Sequence, residues 1–391
     1  MGISNAVVIG GGIGGLAAAT ALAQRGVAVT LLEQAPKLEN VGAGLQVSPN
    51  GLVVLRALGL EASLRQKGAV RGQAVVLNSE GTADEVARLD LMRLNDDQRY
   101  YFMHRADLVD VLAGAAKRQN VTFEMGAKVA SVRPGPLPEV LMADGTRRRA
   151  ELVVAADGLH SVARGVLNGS DDAKFSGQVA WRATIENRFN HPDEVHVAMG
   201  SGRHLVSYPI RDGREINLVA VEEREAWAPE GWHEPDNPAN LRKSFAGFQG
   251  RAAAMIGAVE TVTLWGLHLH PVAPIWQREG VVMLGDAAHP TLPFLAQGAN
   301  MALEDAYVLA TCAAAGGTDW ASQYQAQRFA RVARVVKAAE RNAWRYHLRP
   351  GLVRSVAHFG LSMGSRFAPG RMLGAYDWLY GFDVTRSPQQ T

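Results

Sequence analysis

Over the first thirty-five residues the chain changes its pattern in short steps: apolar Ala6-Val7-Val8-Ile9, the glycine run Gly10–Gly15, an Ala/Leu stretch from Leu16 to Gln24, and a second apolar run from Val27 to Glu33. A short apolar run, a glycine turn, a helical stretch and another apolar run predict a βαβ unit. Ala6 to Ala23 is eighteen residues without a charge, the length at which a membrane-spanning helix is considered. Five of those residues are glycines, no basic segment precedes them, and the stretch splits into a β-like half and a helical half, so no membrane span is expected.

Two further apolar runs end as the first one does. Leu152-Val153-Val154-Ala155 leads to Asp157-Gly158, and Val281-Val282-Met283-Leu284 leads to Gly285-Asp286. Ligands of open α/β sheets lie beyond the carboxyl ends of strands, so three such ends predict one site assembled from distant segments. Between them, Ala180–Arg188, Val195–Gly200, His204–Ile210 and Glu215–Val221 are short, β-rich and separated by Gly, Asn, Asp and Pro, the texture of an antiparallel sheet. Residues 174–270, joined by 73–97, are expected to form an inserted substrate domain, with a nucleotide domain built from 1–72, 98–173 and 271–345. From Ala299 onward the chain reads as helical until Pro350, which leaves 346–391 as a C-terminal helical segment.

Arg328, Arg331, Arg334, Lys337, Arg341 and Arg345 recur every three or four residues and so share a helix face, which is expected to be a solvated outer surface. The whole chain of 391 residues holds 40 Lys+Arg against 38 Asp+Glu, a balance that points away from nucleic acid and toward a small substrate. Cys312 is the single cysteine, which excludes an intrachain disulfide and a cysteine metal cluster and suggests a reducing, cytoplasmic setting. The histidines offer no metal-binding spacing such as H-E-x-x-H, so no metal is expected.

Gly10, Gly12 and Gly15 satisfy G-x-G-x-x-G directly after a strand and at the start of a helix. Glycine allows the tight turn, the approach of a pyrophosphate to the backbone, and close packing of helix on strand. The helix N-terminus that follows offers free N–H groups and a positive dipole end to phosphate, and Ile13, inside the turn, is a cofactor-binding candidate with the glycines. Glu33 ends the next strand, eighteen residues after Gly15, where a carboxylate accepts from ribose hydroxyls. These features fit NAD and the adenosine half of FAD equally well.

Asp157-Gly158-Leu159-His160-Ser161-Val162-Ala163-Arg164 and Gly285-Asp286-Ala287-Ala288-His289-Pro290 resemble the DG and GD motifs of the single-component, class A FAD-dependent aromatic hydroxylases, among them the salicylate, 3-hydroxybenzoate and 6-hydroxynicotinate hydroxylases. The resemblance implies an α/β fold, with a Rossmann-like FAD-binding domain, an inserted antiparallel-sheet substrate domain and a helical C-terminal part. His104-Arg105-Ala106-Asp107-Leu108 is similar to the segment whose arginine contacts FAD, so the resemblance makes Arg105, Asp157 and Asp286 FAD contacts. A surface salt bridge for Arg105 and turn caps for the two aspartates are the plain alternatives. A helix starting near Gly298 and Ala299 would aim its positive end at a reduced flavin.

His204 and Tyr208 are an even offset apart on one strand and so project from one face. The pair resembles the His-x-x-x-Tyr arrangement that contacts and helps deprotonate the substrate phenol in this family, and Gln297 falls at a position associated with its hydroxylation site. As a base, His204 is expected to have a pKa near neutrality; the plain alternative is a structural histidine. The implied activity is NAD(P)H- and O₂-dependent hydroxylation of a small aromatic acid through a flavin C4a-hydroperoxide, in aromatic compound catabolism. FAD would be non-covalent, NADH or NADPH a transient co-substrate, and the protein a monomer or homodimer without nucleic-acid or membrane partners. A FAD-dependent oxidase or dehydrogenase, and a non-enzymatic flavin-binding redox sensor, remain open on sequence.

Overall fold

Asn5–Ile9 lies at the heart of a six-stranded sheet because its side chains are apolar on both faces, with Ala6, Val7, Val8 and Ile9 all buried. Across the sheet the order is Gln277–Arg278, Val281–Met283, Leu152–Ala155, Asn5–Ile9, Ala28–Glu33 and Thr122–Met125. Every pairing is parallel except that of the edge strand Gln277–Arg278. Val8 stands opposite Val154 and Leu31, and Val154 opposite Val282, so the three runs that end beside Gly–Asp or Asp–Gly are neighbours and their carboxyl ends face one region. This computed structural model describes residues 2–38, 42–80, 84–95, 97–169, 173–226, 228–230 and 234–386.

The helix Ile13–Ala23 begins immediately after Gly12, three residues ahead of the expected Leu16, because Gly14 and Gly15 take part in its first turn. It is apolar nearly all round and buried, packed against Arg105–Arg118 and Gly298–Ala315. The charge-free stretch Ala6–Ala23 is thus a strand followed by a helix. No described helix is long and apolar enough to cross a membrane.

The second large sheet has eight strands in the order Pro235–Asp236, Val262–Leu269, Lys174–Glu186, Glu215–Glu223, Arg203–Ile210, Glu194–Gly200, Ala74–Ser79 and Glu85–Asp90. It departs from the expected antiparallel pattern once, where Glu194–Gly200 runs parallel to Ala74–Ser79. Those strands are joined by residues 80–193 rather than by a hairpin, so no turn imposes their relative direction. Alternation sorts the faces. Trp181, Ala183, Leu205, Leu218 and Ala220 pack under the helices Pro238–Ser244 and Gly250–Gly257, while their sequence neighbours line a cavity.

The C-terminal part contains Trp320–Tyr346 and Leu352–Phe367. The basic face of the first helix is solvated as expected at Arg334, Lys337, Arg341 and Arg345, and departs from that expectation at Arg328 and Arg331. Arg328 is only 1% exposed, its Nε donating to Asp305 Oδ1 at 2.7 Å and its Nη1 lying 2.6 Å from Glu304 Oε2. Arg331 pairs with Glu304 at 2.8 Å, and Arg334, Lys337, Arg341 and Arg345 border the cavity. The physical reason is the buried acidic pair Glu304 and Asp305 on the adjacent helix, which draws Arg328 and Arg331 inward.

Candidate active site

A cavity of about 1970 Å³ runs from the carboxyl ends of the parallel strands to the inner face of the eight-stranded sheet. Ligand pockets usually hold roughly 300–1,000 Å³, so this one has room for a dinucleotide and a second small molecule. Of the residues expected at the site, all but Gly15 reach its wall: Gly10, Gly12, Ile13, Glu33, Arg105, Asp157, His204, Tyr208, Asp286, Gln297, Gly298 and Ala299.

The glycines do separate work. Gly10 has φ +102°, and a Cβ there would lie 2.4 Å from the Ala156 carbonyl oxygen. At Gly15 a Cβ would come within 1.9 Å of the Gly10 oxygen, so this residue lets helix approach strand and stands behind the wall. At Gly12 a Cβ would meet no protein atom within 4 Å. It would project into the cavity at a helix start, the space an incoming pyrophosphate needs. Glu33 accepts from the Gly11 N–H at 2.6 Å and the Ala35 N–H at 2.8 Å, which fixes its carboxylate beside the turn.

Asp157 Oδ2 accepts from the Val162 N–H at 2.9 Å, the turn-capping role, but its buried Oδ1 has no partner among the described residues. That orphaned oxygen is what a cofactor hydroxyl would satisfy. Asp286 opens onto the cavity while protein surrounds it on its other sides; burial raises its pKa, opposed by the charges of His289 and Arg105. Arg105 begins the helix Arg105–Arg118 and makes no ion pair among the described residues, which leaves the salt-bridge alternative without support. Glycine cradle, orphaned carboxylate oxygen and open carboxylate fit FAD.

Beyond Asp286, Ala296 adopts the left-handed φ of 53° and turns the chain into the helix Gly298–Ala315, whose start has no side-chain cap. Its first N–H groups therefore face the cavity unclaimed by a capping side chain. Gln297 is 1% exposed, and its amide is committed to protein partners: Oε1 accepts from Asn50 Nδ2 at 3.0 Å, and Nε2 donates to Ser48 Oγ at 3.0 Å. Asn50 also donates to Glu304 Oε1 at 2.7 Å, while Gly285 N–H and His289 Nε2 meet Asp305 Oδ2 at 3.0 and 2.6 Å. One buried polar network thus ties the GD turn, the helix start and Arg328 together.

On the sheet face, His204, Val206 and Tyr208 alternate into the cavity as expected. His204 lies near Phe294 and Tyr346, with ring centroids at 5.7 and 5.2 Å. Its Nδ1 contacts His347 Nε2 at 2.7 Å, and His347 Nδ1 reaches Glu223 Oε1 at 2.9 Å. Burial, and then the neighbouring His347, hold the His204 pKa well below the ordinary value, which corrects the expectation of a near-neutral base. Burial raises the pKa of Tyr208 and keeps its phenol protonated.

Arg182 was not evident as a site residue. It occupies the same face as His204 and Tyr208, its guanidinium 5.0 Å from the Trp265 ring, and burial lowers its pKa to about 10, so it carries its charge at neutral pH. The available signal was a lone cation in the apolar run Ala180–Ile185, on the parity of Ala180 and Thr184. His347 gave none, since 143 residues separate it from its partner His204.

A family model described as an FAD binding domain matches residues 4–339, and the chain belongs to that family, as an NAD(P)H-dependent FAD monooxygenase of the class A aromatic hydroxylase type. It is 36% identical to a 3-amino-4-hydroxybenzoate 2-monooxygenase of Streptomyces cremeus, over 88% of each chain. It is 31% identical to a 3-hydroxybenzoate 6-hydroxylase of Polaromonas naphthalenivorans, over 97% of this chain and 96% of that one. Among solved structures, Klebsiella pneumoniae HpxO complexed with FAD and uric acid superposes with a TM-score of 0.84 at 25% identity, covering 96% of this chain and 97% of that one.

Proposed function

We propose that the protein hydroxylates a small aromatic acid bearing a phenolic hydroxyl, a monohydroxybenzoate such as salicylate or 3-hydroxybenzoate. The observation that carries this reading is the pairing of a half-buried cation, Arg182, with a buried imidazole, His204, on one cavity face. A carboxylate and a phenol on one ring match that pair, and the names of the Streptomyces and Polaromonas relatives describe substrates of this kind.

Gly10, Gly12 and Ile13 would hold the FAD pyrophosphate, with Gly15 allowing that helix to sit close, and Glu33 the ribose. Arg105, Asp157 and Asp286 would hold the middle of the cofactor, and the N–H groups at Gly298 and Ala299 its ring end. When bound, FAD supplies the reduction by NAD(P)H and the activation of O₂. Arg182 fixes the substrate carboxylate, charge against charge. His204 takes the phenolic proton, which enriches the ring carbon that accepts oxygen. Tyr208 stays protonated and donates to the substrate oxygen. Gln297 acts by holding the helix start in place through Ser48 and Asn50.

The test is substrate-stimulated NAD(P)H oxidation across a panel of hydroxybenzoates, salicylate and hydroxynicotinates, with the products identified. A hydroxylated product from a monohydroxybenzoate is expected. NAD(P)H oxidation without hydroxylation of any member would overturn the reading.

A further inference from the structure

His204 belongs to a chain of hydrogen bonds that leads out of the cavity. Behind its ring, Nδ1 meets His347 Nε2 at 2.7 Å, and on the far side of that ring Nδ1 meets Glu223 Oε1 at 2.9 Å. His204 is 2% exposed and His347 4%, whereas the Glu223 side chain is 45% exposed. The three groups therefore run from the cavity wall to solvent.

The end of the chain sets the direction of every bond. A Glu223 carboxylate only accepts, so His347 donates from Nδ1 and presents the lone pair of Nε2. His204 then donates from Nδ1, and its own lone pair is left at Nε2, the ring nitrogen without a protein partner among the described residues. An acidic surface group thus fixes the tautomer of a buried ring two links away.

We infer that His204, His347 and Glu223 form a proton relay that carries the substrate's phenolic proton from the cavity to solvent. The inference rests on His204 being the base. The phenolic O–H bond breaks, its electron pair stays on oxygen, and an N–H bond forms at His204 Nε2. The proton on His204 Nδ1 passes to His347 Nε2, that on His347 Nδ1 passes to Glu223 Oε1, and Glu223 gives it to water. Both imidazoles end neutral with their tautomers exchanged, and they reset when the product takes a proton back by the same path. His347 and Glu223 are positioning residues, acting only through His204.

The relay answers a difficulty in the site. Burial and the adjacent His347 oppose a lasting charge on His204, and the groups packed on it from other elements, Tyr346 and Phe294, offer no carboxylate. Burial, and more weakly the positive field of Arg203, likewise oppose a lasting charge on His347 against the pull of Glu223, so its proton is passed on to the carboxylate it already touches.

Stopped-flow absorbance can follow phenolate formation when FAD-loaded protein is mixed with 3-hydroxybenzoate or 3-amino-4-hydroxybenzoate near neutral pH. Glu223→Gln keeps an oxygen that accepts from His347 but cannot take a proton. It is expected to slow phenolate formation by about tenfold or more with FAD content and probe affinity unchanged, while Glu223→Asp restores the rate. His347→Gln should match Glu223→Gln, and His204→Ala should be at least as slow. Wild-type rates in Glu223→Gln with a slow His204→Ala would overturn the relay and leave the base standing. A wild-type rate in His204→Ala would overturn both. Should His347→Gln lose FAD through misfolding, Glu223→Gln, altered at the surface, decides alone.

Discussion

Arg182 and His204 face the same cavity from the two strands that flank Glu215–Glu223, their register partners Val219 and Val221 standing two residues apart on that shared strand. Cation and imidazole are therefore held on one cavity face by backbone pairing. Arg182→Gln should weaken binding of a hydroxybenzoate by about 10- to 100-fold, because a hydrogen bond to a charged group is worth about 1.5–3 kcal/mol. Binding of the corresponding carboxamide should hardly change. Equal losses for acid and amide in a fluorescence titration would remove Arg182 from carboxylate recognition.

His204→Ala should keep FAD and its reduction by NAD(P)H while slowing hydroxylation by about 10²–10⁴-fold. Reducing equivalents would then be lost to H₂O₂, so the quantity to measure is hydroxylated product per NAD(P)H consumed. Raising the pH should recover part of the loss as substrate ionises unaided. An unchanged ratio at every pH would assign His204 to structure.

Gly12 and Gly15 should fail in different ways. Gly12→Ala places a methyl where no protein atom lies within 4 Å, so the apoprotein should melt as wild type while FAD affinity drops. Gly15→Ala drives a methyl onto the Gly10 oxygen and should lower apoprotein stability itself. Comparing Tm with and without added FAD separates the two. Asp286→Ala should cost FAD binding about 0.5–1.5 kcal/mol, or more if a sugar hydroxyl is left unpaired.

Arg328 lies against two fully buried carboxylates, Glu304 and Asp305, and shares Glu304 with Arg331. Arg328→Met should destabilise the fold by about 3–5 kcal/mol, since removing one partner leaves uncompensated buried charge. Chemical denaturation of the apoprotein would measure this, and a loss below about 1 kcal/mol, the worth of an exposed pair, would contradict it.

Acid should weaken the protein in two stages. Burial lowers the pKa of His191 from 6.5 to about 4, so the unfolded chain binds the extra proton first. Its contribution is complete above pH 6.5 and is lost as pH falls toward 4. At about 1.4 kcal/mol per unit this is on the order of 3 kcal/mol. Asp305, held near 2 by His289 and Arg328 against the cost of burial, adds a loss as pH falls from 3.8 toward 2. Tm recorded stepwise with pH should fall in the first window for wild type and less for His191→Gln.

The elements that position the cofactor were legible because each carries its own period. Ala6–Ile9 became Asn5–Ile9, Val27–Glu33 became Ala28–Glu33, and His204–Ile210 became Arg203–Ile210, with errors confined to the ends where glycine or a polar residue blurs the pattern. Lys174–Glu186 was read six residues too short at its start, because Ser176 and Gly177 interrupt the apolar alternation at an irregularity in register. What escaped was non-local. Arg328 and Arg331 look as solvated as the rest of their row until Glu304 and Asp305 are known to lie against them, and nothing near His204 in sequence announces His347.

The placement of Val281–Met283 beside Leu152–Ala155, itself beside Asn5–Ile9, has a bearing on how the chain is made. The central sheet gathers strands from the beginning, middle and late part of the polypeptide, with most of the eight-stranded sheet translated in between. Such pairings close loops of well over a hundred residues, and loop-closure entropy must be met before they form. A nascent chain still short of residue 283 therefore exposes one apolar edge of its cofactor sheet. The ribosome must deliver the chain through Val281–Met283 before the glycine loop acquires the wall against which a flavin can rest.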